Sequence, residues 1–288
     1  MYTDKSEFDG MKNLFVLAFC VLSCLTANAQ TKIVESWIYS DVALSRGTQT
    51  ESVKSLVDTG CSFCVIDSTY ATEVFKISDK DYTIIGYRNK MNYIVLDSLR
   101  FCDTTYHKVY CMVIDLSGKF IDYAPRFIIG GNILINGAWK FDLANNSVEP
   151  SDVKRKPAGT VMRWNYYPKK EAVNTIRLKG HIGKQKVDFL FDTGARYCKL
   201  PKGFKAGPTE TVRKESASAT LSLQTVEAEL TRNVQFKIGK CEFTHDFFEG
   251  QRGDGLLNAF SFGGNAVVLN YKRQTLEVIS ENFISNSR

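Results

Sequence analysis

Apolar and polar positions along this chain alternate in short runs and do not recur at a helical spacing. Val187-Asp188-Phe189-Leu190-Phe191, Tyr93-Ile94-Val95-Leu96 and Val234-Gln235-Phe236-Lys237-Ile238 are rich in the β-branched and aromatic side chains that pack on a pleated surface. Gly239-Lys240 and Asn89-Lys90 punctuate them as turns. No amphipathic stretch of 3.6-residue period exceeds about three turns. The pattern predicts an all-β protein with short helices at most.

One run differs. Leu14 to Leu25 is apolar, preceded by Met11-Lys12-Asn13 and followed by Thr26-Ala27-Asn28-Ala29-Gln30. A basic start, a short apolar stretch and an A-x-A end predict a signal peptide over residues 1–29, cut after Ala29, with Met11 as the initiator. The run is too short for a hydrocarbon core, which takes ~20 helical residues. A buried N-terminal helix is the bland alternative. Leu22-Ser23-Cys24 loosely matches a lipobox, with Val21 where Leu is usual, so a lipid anchor at Cys24 is another. Either processing route exports the protein, to the periplasm or beyond, and no later segment reaches membrane-spanning length. Little chain separates Gln30 from the first strand, so no long pro-segment is expected.

The rest reads as two copies of one pattern. Leu56-Val57-Asp58-Thr59-Gly60 recurs as Leu190-Phe191-Asp192-Thr193-Gly194. Cys64-Val65-Ile66 then matches Cys198-Lys199-Leu200, Leu99-Arg100-Phe101 matches Val234-Gln235-Phe236, and Trp139 to Leu143 matches Val267 to Tyr271. Four blocks in one order argue for an internal repeat. Residues 149–159, with two prolines and a charge cluster, read as a linker. The expected organisation is a first unit over 30–150, a linker at 151–160 and a second unit over 161–288.

An Asp after an apolar strand, followed by Thr-Gly, is a carboxylate held at a tight turn. One such triple should occur by chance roughly once in 6,000 positions; two in equivalent places of a repeat point to function. A pseudo-two-fold axis would bring Asp58 and Asp192 together, and two carboxylates that close share one proton. The ionised member can take a proton from water while the other hydrogen-bonds a carbonyl oxygen.

In these paired motifs the chain resembles the aspartic proteases, both the bilobal pepsin type and the retroviral retropepsin type. The family's second signature, two apolar residues and Gly, is present as Ile128-Ile129-Gly130 and, with Asn for Gly, as Leu256-Leu257-Asn258. That Asn predicts a strained or re-shaped second loop. The resemblance covers about residues 32–281 and implies two β-barrel-like lobes around a cleft. It makes Asp58 and Asp192 the catalytic pair. Thr59, Gly60, Thr193 and Gly194 would support the active-site loops. It implies an extended peptide or protein substrate, no cofactor and no metal, and a monomer is expected. A covering flap is expected at Thr83 to Asn92, with Gly86 and Tyr87 near its tip. An exported binding module that no longer hydrolyses is the other reading, for which Asn258 and Arg196 argue. Arg196 would either pair with an acid between the units or face solvent.

Composition adds boundaries. The chain has 288 residues, 44% hydrophobic and 24% charged, with 19 Phe and 13 Tyr, enough to core two units. The net charge of +6 is scattered, and no basic patch interleaved with aromatics suggests nucleic acid. Of eight cysteines, Cys20 and Cys24 fall in the signal segment. Cys102 and Cys111 flank a hairpin and are the best disulfide pair, while Cys64 and Cys198 read as small core residues. Cys61-x-x-Cys64 lacks the second pair of ligands that zinc takes. His107, His181 and His245 adjoin no nucleophile motif, and neither G-x-S-x-G nor H-E-x-x-H occurs.

Overall fold

The computed structural model describes residues 37–85, 91–120, 124–166, 175–218 and 221–280. The expected signal peptide, Cys24 included, lies outside them. The first strands are β1 (Tyr39–Arg46), β2 (Gln49–Val57), β3 (Cys64–Asp67), β4 (Thr83–Ile85), β5 (Met91–Phe101), β6 (Thr104–Ile114) and β7 (Phe127–Ile129), all in one sheet. Because β1 pairs with both β2 and β5, six of them close into a barrel and β4 hangs outside on β5. Closure removes the open edges. Val42, Leu44, Leu99, Phe101 and Ile129 fill the interior. β2 exposes alternate residues at first, then buries Ser55, Leu56 and Val57 in succession, where parallel β7 lies beside it.

After β8 (Ala138–Asp142), β9 (Ser147–Ser151) and β10 (Thr160–Arg163), a second sheet forms from β11 (Asn165–Tyr166), β12 (Ile176–Ile182), β13 (Gln185–Phe191), β14 (Glu210–Ser218), β15 (Leu221–Ile238), β16 (Cys241–Phe248) and β17 (Gly255–Leu257). Its connectivity repeats the first. β12 pairs with β13 and β15 as β1 does with β2 and β5, and β17 runs parallel to β13 as β7 does to β2. Lys199, bridged to Phe248 and Leu256, stands where β3 meets β6 and β7. One sequence match slips: Phe101 faces Val42, and the residue facing the corresponding Gly180 is Ile238, two beyond Phe236. A slip of two keeps every side chain on its face, so the alternation cannot reveal it.

The final strands, β18 (Ala266–Asn270) and β19 (Thr275–Ile279), join the two halves of the chain in a sheet of order β10-β19-β18-β8-β9. β8 and β18 cross with Lys140 opposite Val268, which are equivalent residues of the two copies. A pseudo-two-fold axis therefore passes between them. Between β9 and β10 the chain is strapped down rather than loose. Glu277, 4% exposed, pairs with Arg155 and accepts from the backbone N–H groups of Ala158 (2.6 Å) and Gly159 (2.8 Å).

The architecture is all-β with short helices, such as Ser68–Phe75. No helix among the described residues is long and apolar enough to cross a membrane. The expected Cys102–Cys111 disulfide is not made. Cys102 occupies the β5–β6 turn, whereas Cys111 lies far down β6, opposite Ile94, and both thiols are free. Seven residues of strand span ~23 Å, well past the reach of a disulfide. Cys111 instead neighbours Cys64 in register. Cys64 and Cys198 are free and buried, as small core residues would be.

Candidate active site

Each D-T-G triple directly follows a strand that pairs in parallel with the strand of the second signature, β2 with β7 and β13 with β17. The Asp58 N–H donates to Ile129 O (2.9 Å) and the Asp192 N–H to Leu257 O (2.8 Å), so both turns hang from the parallel partner strand in the same way. The threonines then exchange hydrogen bonds across the axis. Thr59 Oγ1 donates to Phe191 O (3.1 Å) and accepts from the Thr193 N–H (3.0 Å). Thr193 Oγ1 donates to Val57 O (2.6 Å) and accepts from the Thr59 N–H (3.1 Å). Both threonines are buried, at 0% and 2% exposure, and their hydroxyls and backbone N–H groups bond to the other half. In this lattice each hydroxyl has one strand carbonyl and one amide as partners.

The lattice brings the two carboxyl groups into hydrogen-bond contact. Each lies against the glycine of the opposite triple: a Cβ on Gly60 would collide with the Asp192 carboxyl, and one on Gly194 with that of Asp58. Only glycine permits this approach. Asp58 Oδ1 accepts from the N–H groups of Gly60 (2.7 Å) and Cys61 (3.1 Å), and Asp192 Oδ1 from Gly194 (2.9 Å). Burial, then the charge and hydrogen bond of Asp192, push the Asp58 carboxyl well above the usual carboxylate range. Burial also raises Asp192, but the hydrogen bond from Asp58, two backbone amides and the Lys199 charge pull it back. Both carboxyls are raised by burial and they hydrogen-bond each other, so the pair holds one shared proton. Such a pair can both accept a proton from water and donate a hydrogen bond to a carbonyl.

Beside each turn, β7 and β17 lead into the second signature. Gly130 and Asn258 adopt the same extended backbone, with φ −108° and ψ −175° against φ −101° and ψ 179°. The expected strain at Asn258 is absent. Its side chain accepts from the Phe260 N–H (3.1 Å) and donates to Arg196 O (3.2 Å), capping the 3-10 turn Ala259–Phe262 and bracing the loop after Asp192. Arg196 does not face solvent. Its guanidinium bonds Glu215 (3.2 Å) and stacks on Trp37 (5.4 Å), whose indole N–H donates to Gly194 O (3.0 Å). Lys199 is a cation that favours the charged form of Asp192.

The carboxyls open into a cleft of about 460 Å³. Where a covering hairpin is expected, β4 pairs with β5 and Met91 lines the cleft; Gly86 and Tyr87 lie outside the described residues. A second hairpin, β14–β15, contributes Lys214, Glu215, Ser216 and Leu223, and the Leu223 N–H donates to Gly118 O (2.6 Å) in the other half. Shifting Thr83–Asn92 by the 134 residues that separate Thr59 from Thr193 lands on 217–226, the end of this hairpin. The repeat thus held a signal for it. None of His107, His181 and His245 lines the cleft. Compared with protein-family models and with curated proteins, the chain matches none.

Proposed function

We propose that this chain is an aspartic endopeptidase. The observation that carries the reading is the reciprocal Thr59–Thr193 lattice, which holds Asp58 and Asp192 in contact at the floor of a cleft. Water between the carboxyls loses a proton to the ionised member of the pair as it attacks the scissile carbonyl, and the protonated member hydrogen-bonds the developing oxyanion. As the tetrahedral species collapses and its C–N bond breaks, the carboxyl that took the proton from water gives it to the leaving amine, which restores the singly protonated pair, and no covalent intermediate forms. On this reading the two repeated sheets are the lobes of a pepsin- or retropepsin-like fold, with residues 30–150 and 161–288 as its two units and the two hairpins as flaps over an extended peptide. Both carboxylates come from one chain, so a monomer suffices. The signal-peptide pattern adds an exported setting. A silent binding module gains no support from Asn258 or Arg196, since neither disturbs the carboxyl pair.

The direct test is turnover of a mixed peptide library by the purified protein at pH 5 to 7, with and without a statine peptide as transition-state mimic. Cleavage that the statine peptide blocks is expected. No cleavage anywhere in that range, from folded protein, would contradict the reading.

A further inference from the structure

We propose that the cleft selects peptides carrying a carboxylate side chain, which Lys214 receives, opposite an apolar side chain seated against Leu56, Val65, Met112 and Ile128. This rests on the peptidase reading above and names its substrate class. The repeat makes the two walls comparable, and they differ in character. In the first half the wall is apolar apart from Asp58 and Lys119, and its buried apolar part, Leu56, Val65, Leu116 and Ile128, packs as one cluster. In the second half Lys199 stands where the first has Val65, and Arg196 and Lys214 stand beside it.

The anions on hand do not match these cations. Glu215 answers Arg196 at 3.2 Å. Asp192 interacts with Lys199. Lys214 is left with no carboxylate partner among the described residues, although it is only 9% exposed. Its ammonium stands over the rings of Phe248 (4.0 Å) and Tyr197 (5.0 Å), and Lys199 repels it. Aromatic faces offset part of the cost of burying a cation, but a desolvated ammonium without an anion remains unfavourable. A carboxylate entering the cleft would remove that cost and gain a charge-assisted hydrogen bond. Burial and Lys199 push the Lys214 ammonium down to about 8, so it stays charged at weakly acidic to neutral pH. Lys119, on the other side of the cleft, adds to the same positive field.

The experiment uses a nonapeptide series with Leu at its centre and Ala elsewhere, one Ala at a time replaced by Glu or by Gln. The readout is the Glu-to-Gln ratio of kcat/KM at each position, which cancels any general loss of activity in a variant. Wild type should favour Glu by about tenfold or more at one position. Lys214→Met should bring that ratio to within about threefold of unity, and Lys214→Arg should keep most of it. Library cleavage with a ratio near one at every position overturns the inference and leaves the peptidase reading standing. If nothing is cleaved, the peptidase reading fails, and fluorescence anisotropy with the labelled peptides decides the inference. Tighter binding of a Glu peptide that Lys214→Met removes supports it; equal binding, or none, overturns it.

Discussion

Asp58 and Asp192 sit in near-identical turns yet differ in surroundings, and the difference is measurable. The Asp58 carboxyl is raised by burial first and by Asp192 second. Above its unfolded value of ~3.9, the folded protein keeps a proton that the unfolded chain has released, so rising pH costs stability. Below about pH 4 both states are protonated and the cost vanishes. Asp58→Asn should therefore raise Tm at pH 7 and leave it near wild type at pH 3. Thermal unfolding at both values checks this, and an equal shift at each would contradict it. A second residue-scale prediction concerns the position after each glycine, occupied by Cys61 and Ala195. Neither offers a good hydroxyl donor to the carboxylates. The pair should keep its single proton to higher pH than with such a donor, and kcat/KM should trace a bell with its maximum at roughly pH 5 to 7. Ala195→Ser adds a donor to the charged form, which lowers the pair's upper value. Its upper limb should move to lower pH; a fixed limb, or a wild-type maximum below about pH 4, would contradict the account.

Among the elements, the helix Ser68–Phe75 shows how one side chain ties the cleft to the barrel. Asp67 is 2% exposed, accepts from the Tyr70 N–H (2.9 Å) as helix cap and from the Leu116 N–H (2.9 Å), and pairs with Arg126 (3.5 Å). Leu116 lines the cleft. Asp67→Ala should cost about 1–3 kcal/mol in urea unfolding, and Asp67→Asn distinctly less, since an amide oxygen still caps. Equal losses would mean that the cap is not what matters there. Strand identity and the D-T-G turns are legible in the sequence because alternation and a repeated tripeptide are local signals. The β14–β15 hairpin is legible only through the repeat offset, because Lys214, Glu215 and Ser216 taken alone read as solvated residues, and their partners Tyr197, Phe248 and Arg196 are distant in sequence. Trp37 likewise gains its role from residues distant in sequence, Gly194, 157 residues away, and Arg196. The register slip at Phe236 and the misjudged Cys102–Cys111 pair share one cause. A period of two says which face a residue takes but not which neighbour it meets.

For the whole molecule, the axis is the organising feature. Equivalent residues meet on it twice, at Thr59 with Thr193 and at Lys140 with Val268. The first contact aligns the carboxyls, and the second lies in a sheet to which both halves contribute strands. The repeat supplies two matching turns, while the first half brings a mainly apolar wall to the cleft and the second half brings Arg196, Lys199 and Lys214. The central claim is that Asp58 and Asp192 act as one unit through a shared proton. The most direct measurement is kcat of Asp58→Asn and of Asp192→Asn on a peptide that wild type cleaves, with folding verified by circular dichroism. Each variant should retain less than about a hundredth of wild-type kcat, a loss above ~2.7 kcal/mol. A folded variant of either kind that keeps more than that would contradict the two-carboxylate mechanism.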